Sequence, residues 1–468
     1  MTRPYLRGPA VAAIFLGAAL LSRVTVLSRS VLDWDESLYF LMAQQWRHGH
    51  LPYTTIWDNK PLGIYAIFAL FQMVFGAHVL AMRLASVVFV GLLGFATFLI
   101  AERLTGQRPA AWVAGFALIL CALSNDGLAA NTELFMATFT ALAMLAALGG
   151  TPAFLAGLLL GLAFMVKYVA LFEAPALALL LLARQRRLTT TAAALTGAAL
   201  PLIATIALYA LSGHLGLWWA TSVVSNLRRV NAPFSAASLD YAVRTELWRW
   251  GPLWVAGLAL IAWALIRRRR EDIFLALWLL CGCVGVASAK SFYDHYFLQI
   301  LPVLCVILGV WFARLAPGPA LRTSFILVAL ALPGWAAQIA LRDASGPDIP
   351  ARMGADLKSQ PGSLYVFDGQ PILYALADEP LPTRYVLPSE LTGNFLPAIA
   401  GVDAAAEVAR ILTTRPDYIV RRLPAPTNRA AFNPAVYAEL NASLIQHYQL
   451  WRQYNGDAVF KLKSLPAR

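Results

Sequence analysis

Residues 33 to 61 read DWDESLYFLMAQQWRHGHLPYTTIWDNKP and set Asp33, Asp35, Glu36, Arg47, Asp58 and Lys60 directly after a long apolar run. Acids and cations gathered in one short loop, in a chain with few charges elsewhere, mark a place where chemistry is expected. A carboxylate partly withdrawn from water can have its pKa raised toward working pH and can then take a proton from a nucleophile. Asp35 is the candidate base, with Glu36 beside it. Lys60 is a fixed cation able to meet charge that grows on a departing anionic group. Arg83, Lys167 and His295 are further candidates to hold an anion, and Glu133, Asp58 and Tyr39 complete the polar set.

Each of these residues also has a plainer reading. Acids in a first helical turn favour the helix dipole, and Asp33 is the one expected to cap. Lys60 could snorkel to headgroups. Glu133 could form a capping box with Asn131 or Thr132. His295, between Asp294 and Tyr296, could be an interfacial histidine. Carboxylates alone can bind magnesium, but with a single histidine near the loop no metal site and no essential cofactor are expected.

The elements that position these residues follow from composition. Of 468 residues 59% are hydrophobic and 13% charged, with a mean hydropathy of +0.63, which describes a polytopic membrane protein and excludes an ordinary soluble domain. The formal charge of +12 sits in short basic clusters between apolar runs, the pattern of topology determinants, so no nucleic acid partner is implied. Cys121, Cys281, Cys283 and Cys305 lie inside apolar runs, without disulfide or zinc spacing. No small-residue cleavage site precedes Asp33, so the first apolar run is expected to stay as a helix.

A span needs about 20 apolar residues. Eleven stretches qualify, near 9–27, 78–100, 110–125, 133–149, 153–166, 169–183, 191–211, 251–266, 273–289, 296–313 and 321–340, with the fifth and sixth split at Lys167. With the N-terminus cytoplasmic, Arg3 and Arg7, Arg103 and Arg108, Arg184, Arg186 and Arg187, Arg267 to Arg270, and Arg314 and Arg322 all fall on the cytoplasmic side. The loops with Asp35, Glu133, Lys167, residues 212–250 and His295 then share the opposite face with everything after Arg342.

Within the first external loop (29–77), the spacing from Glu36 to Arg47 predicts an amphipathic interfacial helix, and Pro61 opens a second helix to Phe75. Residues 212–250, rich in Trp and Arg, read as an interfacial loop. The domain boundary is placed at 342/343: a transmembrane portion, 1–342, precedes a small extracytoplasmic α/β domain, 343–468. In that domain SLYVFD, TRYVL, DYIVRR and AVFKLK read as strands, and VDAAAEVARILTT and NPAVYAELNASLI as helices.

DESLYF at 35–40, followed by DNKPLGIY at 58–65, resembles the first-loop signature of the GT-C glycosyltransferase superfamily. More narrowly, it resembles the bacterial relatives of protein O-mannosyltransferases and of the lipid A aminoarabinose transferase. NTELF at 131–135 and HYFLQILP at 295–302 extend the resemblance through the membrane portion, and the tail is similar to the external domain of bacterial members. Leu38 departs from it, since the aminoarabinose transferase has a basic residue there.

The resemblance implies a mostly α, polytopic GT-C fold in a bacterial inner membrane. It further implies transfer of a single sugar, with inversion, from a polyprenyl (undecaprenyl) phosphate carrier to an extracytoplasmic acceptor such as lipid A, a surface glycan or a protein. Asp35 is then the base; Lys60, Arg83, Lys167 and His295 are phosphate ligands; Glu133, Asp58 and Tyr39 contact sugar or acceptor. Asp33 and Asp35 as a DxD metal site for a nucleotide sugar lack the supporting context. A flippase of lipid-linked sugar and a glycan polymerase or ligase are the rival functions.

Overall fold

The computed structural model describes residues 8–184, 188–230, 234–315, 318–423 and 432–463; the basic residues Arg3, Arg7, Arg186 and Arg187 lie outside them. Helix α1 (Gly8–Arg23) leads into the polar loop, which carries α2 (Trp34–Arg47) and α3 (Leu62–Phe75). There follow α4 (Val79–Thr105), α5 (Arg108–Cys121), α6 (Thr132–Gly149) and α7 (Ala153–Val166). A 3-10 segment, Tyr168–Glu173, runs into α8 (Ala174–Arg184), and α9 (Leu188–Leu211) comes next. Two short helices, α10 (Leu215–Trp218) and α11 (Ser225–Val230), flank a π turn and precede α12 (Ala236–Arg267) and α13 (Arg270–Ser288). The 3-10 segment Asp294–Ile300 continues as α14 (Leu301–Arg314), and α15 (Pro319–Ala344) ends the bundle.

Every stretch read as a span coincides with a helix. Among the described residues eight helical segments are long and apolar enough to cross a membrane; those near 110–125, 153–166 and 169–183 are shorter apolar helices. The break at Lys167 is real, with an extended backbone (φ −153°, ψ 128°) between α7 and the 3-10 segment. The region 212–250 is more helical than expected. Helix α12 begins at Ala236, not near 251, and passes through a kink at Trp250 just before Pro252, because proline lacks the donor and crowds the preceding turn without ending the helix. Small residues set the tightest packing: a Cβ on Gly157 or Gly161 of α7 would collide with the backbone carbonyls of Ala194 or Ala198 on α9. All four cysteines are free thiols.

The remaining elements are α16 (Ile349–Lys358), β1 (Leu364–Val366), α17 (Leu373–Ala377), α18 (Ser389–Thr392), α19 (Leu396–Ala400), α20 (Ala404–Thr413), β2 (Tyr418–Arg422), α21 (Pro434–His447), β3 (Tyr448–Tyr454) and β4 (Asp457–Leu462). The sheet has the order β1-β2-β4-β3, with β1 parallel to β2 and the other pairs antiparallel. Alternation along the strands splits the core in two. Tyr365 and Ile419 face α20 and α21 through Val408, Ile411 and Leu440. Leu364, Val366 and Val420 join a cluster that also holds Leu41, Tyr53, Ile56 and Leu62 of the first loop.

Residues 383–387, expected as a strand, are irregular. Arg384 instead ties the segment to the first loop: its carbonyl accepts from the Trp57 N–H (2.8 Å) and its side-chain Nη2 donates to the Tyr53 carbonyl (2.7 Å). Strand β3 (YQLWRQY) forms a sheet edge instead; Leu450 and Trp451 are adjacent at a register shift, so its apolar residues do not alternate along the strand.

Candidate active site

Helix α2 starts as its sequence demands. Asp33 is the N-cap, its carboxylate accepting from Asp35 N–H (2.9 Å), and Glu36 completes a capping box. Glu36 does more than cap. It is fully buried and grips Arg83 of α4 through two contacts of 2.6 and 2.5 Å, while also accepting from the Ala130 N–H (2.8 Å). This clamp joins α2, α4 and the turn before α6. Neither Glu36 nor Arg83 is among the described residues that line the large polar cavity beside this clamp; in this structure each is the other's buried counter-ion.

That cavity, about 1000 Å³, lies between the first loop, the ends of several bundle helices and the C-terminal elements. Asp35, Asp58 and Lys60 reach it from the loop, Lys167 from the break after α7, Arg229 from α11, His295 and Tyr296 from the start of the 3-10 segment, and Glu390 and Phe395 from the C-terminal region. Lys60 Nζ lies 3.1 Å from Asp35 Oδ2 and 3.6 Å from Asp58 Oδ1. Its backbone is fixed by the Tyr53 hydroxyl, which donates to the Lys60 carbonyl (2.6 Å). Tyr53 takes a left-handed φ of +70°, unusual for a bulky residue, and rings of Tyr65 and Tyr209 pack against it. The Tyr65 hydroxyl donates to Asp58 (2.9 Å).

The electrostatics reverse one expectation. Burial pushes the Asp35 carboxyl up, but the Lys60 ammonium and then His295 outweigh it and hold Asp35 well below the usual carboxylate range. The raised carboxyl is Asp33, pushed to about 6 by burial and by the neighbouring Asp35 charge. Asp58 is also raised, by burial, against the pull of Lys60. Lys60 itself is raised: burial acts to lower it, and the two carboxylates outweigh burial.

Tyr39 and Glu133 stand one layer behind the cavity wall. The Tyr39 hydroxyl donates to Asp35 Oδ2 (3.1 Å), and Glu133 pairs with Lys167. The Lys167 ammonium also sits 3.9 Å from the centre of the Tyr296 ring. Arg229 Nη2 donates to the Tyr296 hydroxyl (3.0 Å). Arg229 lines the cavity although, beside the tryptophans, its sequence position reads as an interfacial anchor; only the fold turns it inward. His295 Nδ1 lies 3.9 Å from Asp33 Oδ2 and 3.8 Å from Asp126 Oδ2. These three residues bring ligand atoms within 4.8 Å of one another and could hold a divalent cation; Asp126 was not singled out from the sequence.

A floor where one ammonium faces two carboxylates, with Lys167 and Arg229 on the wall, offers fixed cations to an anionic group. Residues 59–210 match the family model of the dolichyl-phosphate-mannose-protein mannosyltransferases. No curated protein matches the chain. Among solved structures, ArnT from Cupriavidus metallidurans bound to undecaprenyl phosphate is similar at a TM-score of 0.69 and 14% identity, over 96% of this chain and 97% of that one. The apo state of the same protein gives 0.67 at 14% identity, with the same coverage. The apo oligosaccharyltransferase of Archaeoglobus fulgidus gives 0.54 at 13% identity, over 89% of this chain and 69% of that one. The fold is the GT-C fold.

Proposed function

We propose that this multi-pass membrane protein is a glycosyltransferase that moves one sugar from a polyprenyl phosphate to an acceptor on the extracytoplasmic side of a bacterial inner membrane. The observation that carries this reading is the Asp35–Lys60 pair at the floor of a cavity whose wall also presents Lys167 and Arg229. The match of residues 59–210 and the likeness to a structure holding undecaprenyl phosphate support the choice of donor. The basic clusters between the apolar runs, read as cytoplasmic, support an extracytoplasmic side for the cavity and the C-terminal elements.

In the reaction, an acceptor hydroxyl attacks the anomeric carbon from the side opposite the phosphate. Its proton passes to Asp35, the bond between the anomeric carbon and phosphate oxygen breaks, and the electron pair stays on the phosphate. Lys60 and Arg229 meet the charge that develops there, so no general acid is needed. Lys60 also controls the base. While its ammonium faces Asp35, that carboxylate is a weak base. A phosphate that takes up the Lys60 charge releases Asp35, whose buried carboxyl then rises toward a useful range. The base is thereby switched on by the donor.

The test uses the full-length protein in proteoliposomes with a polyprenyl-phosphate sugar. Asp35→Asn should bind undecaprenyl phosphate as the wild type does and release none from the sugar-bearing carrier; turnover at the wild-type rate refutes the assignment. Mass spectrometry of envelope lipids, glycans and proteins from cells with and without the gene would identify sugar and acceptor by the missing mass.

A further inference from the structure

The C-terminal elements do not merely rest on the bundle. Leu387, Ser389, Glu390, Phe395 and Leu396 form part of the cavity wall. The segment that carries them is fastened at both ends: Arg384 exchanges hydrogen bonds with Trp57 and Tyr53, and Arg228 Nη1 donates to the Ile399 carbonyl (3.3 Å). The wall is therefore fixed relative to Lys60.

Glu390 is the unexplained residue in that wall. It is only 1% exposed. One carboxyl oxygen accepts from the Leu387 N–H at 3.2 Å, and the other has no hydrogen-bond partner among the described residues. A buried acid left half-satisfied keeps an acceptor free for a further donor. Asp58, Lys60 and Asp35 are the charged groups it senses; burial first, then Asp58, push its carboxyl well above the usual range. Its unpaired oxygen can accept from a sugar hydroxyl. Phe395 of the same cavity wall, 39% exposed, offers an apolar face, which suits the C–H face of a pyranose or furanose ring. Neither a phosphate nor a prenyl chain calls for this combination.

We infer that Glu390 is a specificity-determining contact, hydrogen-bonding a hydroxyl of the carrier-linked sugar, so that the C-terminal region reads which sugar the phosphate bears. This rests on the proposed donor, since the phosphate at Lys60 places the sugar within reach of the wall.

The experiment measures binding by the full-length protein in nanodiscs. The probes are undecaprenyl phosphate and its glucose, mannose, galactose and arabinose esters. The wild type should bind at least one ester about tenfold tighter than another. Glu390→Ala should erase that difference and leave the affinity for undecaprenyl phosphate unchanged, while Glu390→Gln, which still accepts, should keep most of it. The inference is overturned if Glu390→Ala keeps the wild-type preference, if the wild type shows none, or if Glu390→Ala also loses undecaprenyl phosphate, which would make the residue part of the scaffold. Failure of the wild type to bind undecaprenyl phosphate at all would instead sink the donor assignment.

Discussion

Lys60 Nζ lies within 3.6 Å of two carboxylates, Asp35 at 3.1 Å and Asp58 behind it, so a single ammonium balances both the prospective base and the acid that fixes the loop. The two carboxylates differ in freedom. Asp58 is buried and tied to Tyr65 and the Asn59 N–H, whereas Asp35 retains 24% side-chain exposure toward the cavity. A competing anion can therefore draw the Lys60 ammonium away from Asp35 while Asp58 stays in place behind it.

Lys60→Ala tests this sharing. Loss of the ammonium removes a charge-stabilising group, a change that commonly costs 10²–10³ in turnover, and it also frees Asp35 to rise. Turnover should fall by about that factor and undecaprenyl phosphate should bind more weakly. The acidic limb of the residual pH–rate profile should move to higher pH, because Asp35 no longer has the cation that keeps it ionised. Transfer assays in proteoliposomes across pH 5 to 8 read all three; an unshifted acidic limb would separate Lys60 from the base.

Stability of the C-terminal sheet should depend on pH through Asp368. Burial raises its carboxyl to about 6 from 3.8, although the Arg422 N–H (2.5 Å) and the Tyr437 hydroxyl (3.1 Å) donate to it. A raised acid favours the protonated fold, so its contribution is fully present below pH 3.8 and is lost as pH climbs through about 6, a loss of roughly 3 kcal/mol. Hydrogen exchange of the β1 and β2 amides in the full-length protein, corrected for intrinsic rates, should show weaker protection at pH 8 than at pH 5. Asp368→Asn should flatten that difference.

Several features were legible from residue order alone because they are local. The Asp33 cap needs only an acid directly before a helical run, and the spans and the break at Lys167 need only hydropathy. The pKa order of Asp33 and Asp35 was not legible, because the decisive charge is Lys60, brought beside one carboxylate and not the other by a loop whose path depends on Tyr53 and Tyr65. Arg229 and Glu390 were missed for the same reason. One lies in a stretch that reads as an interfacial anchor and the other in a short helix of the C-terminal region, and both reach the cavity only through tertiary packing.

Metal removal should leave the reaction intact. Lys60, Lys167 and Arg229 already place fixed cations around the position proposed for the phosphate, so charge neutralisation does not require a further ion. Full activity is expected after EDTA treatment, and Asp126→Ala should change turnover by less than a few fold. Loss of activity on chelation, restored by a divalent cation and abolished by Asp126→Ala, would instead assign the Asp33, Asp126 and His295 cluster to a working metal.

Glu36 and Arg83 should behave as a structural pair. Arg83 is 2% exposed and Glu36 fully buried, so Arg83→Met leaves a carboxylate without its counter-ion, a loss of about 3–5 kcal/mol for a buried pair. Restoring neutrality with Glu36→Gln in the same chain should recover much of that stability. Thermal unfolding in detergent should therefore show a large drop for each single variant and a smaller one for the double variant. The double variant should still bind undecaprenyl phosphate, because neither side chain lines the cavity. If it regains stability and yet fails to bind the lipid phosphate, Arg83 contacts the donor after all and the clamp would be only part of its role.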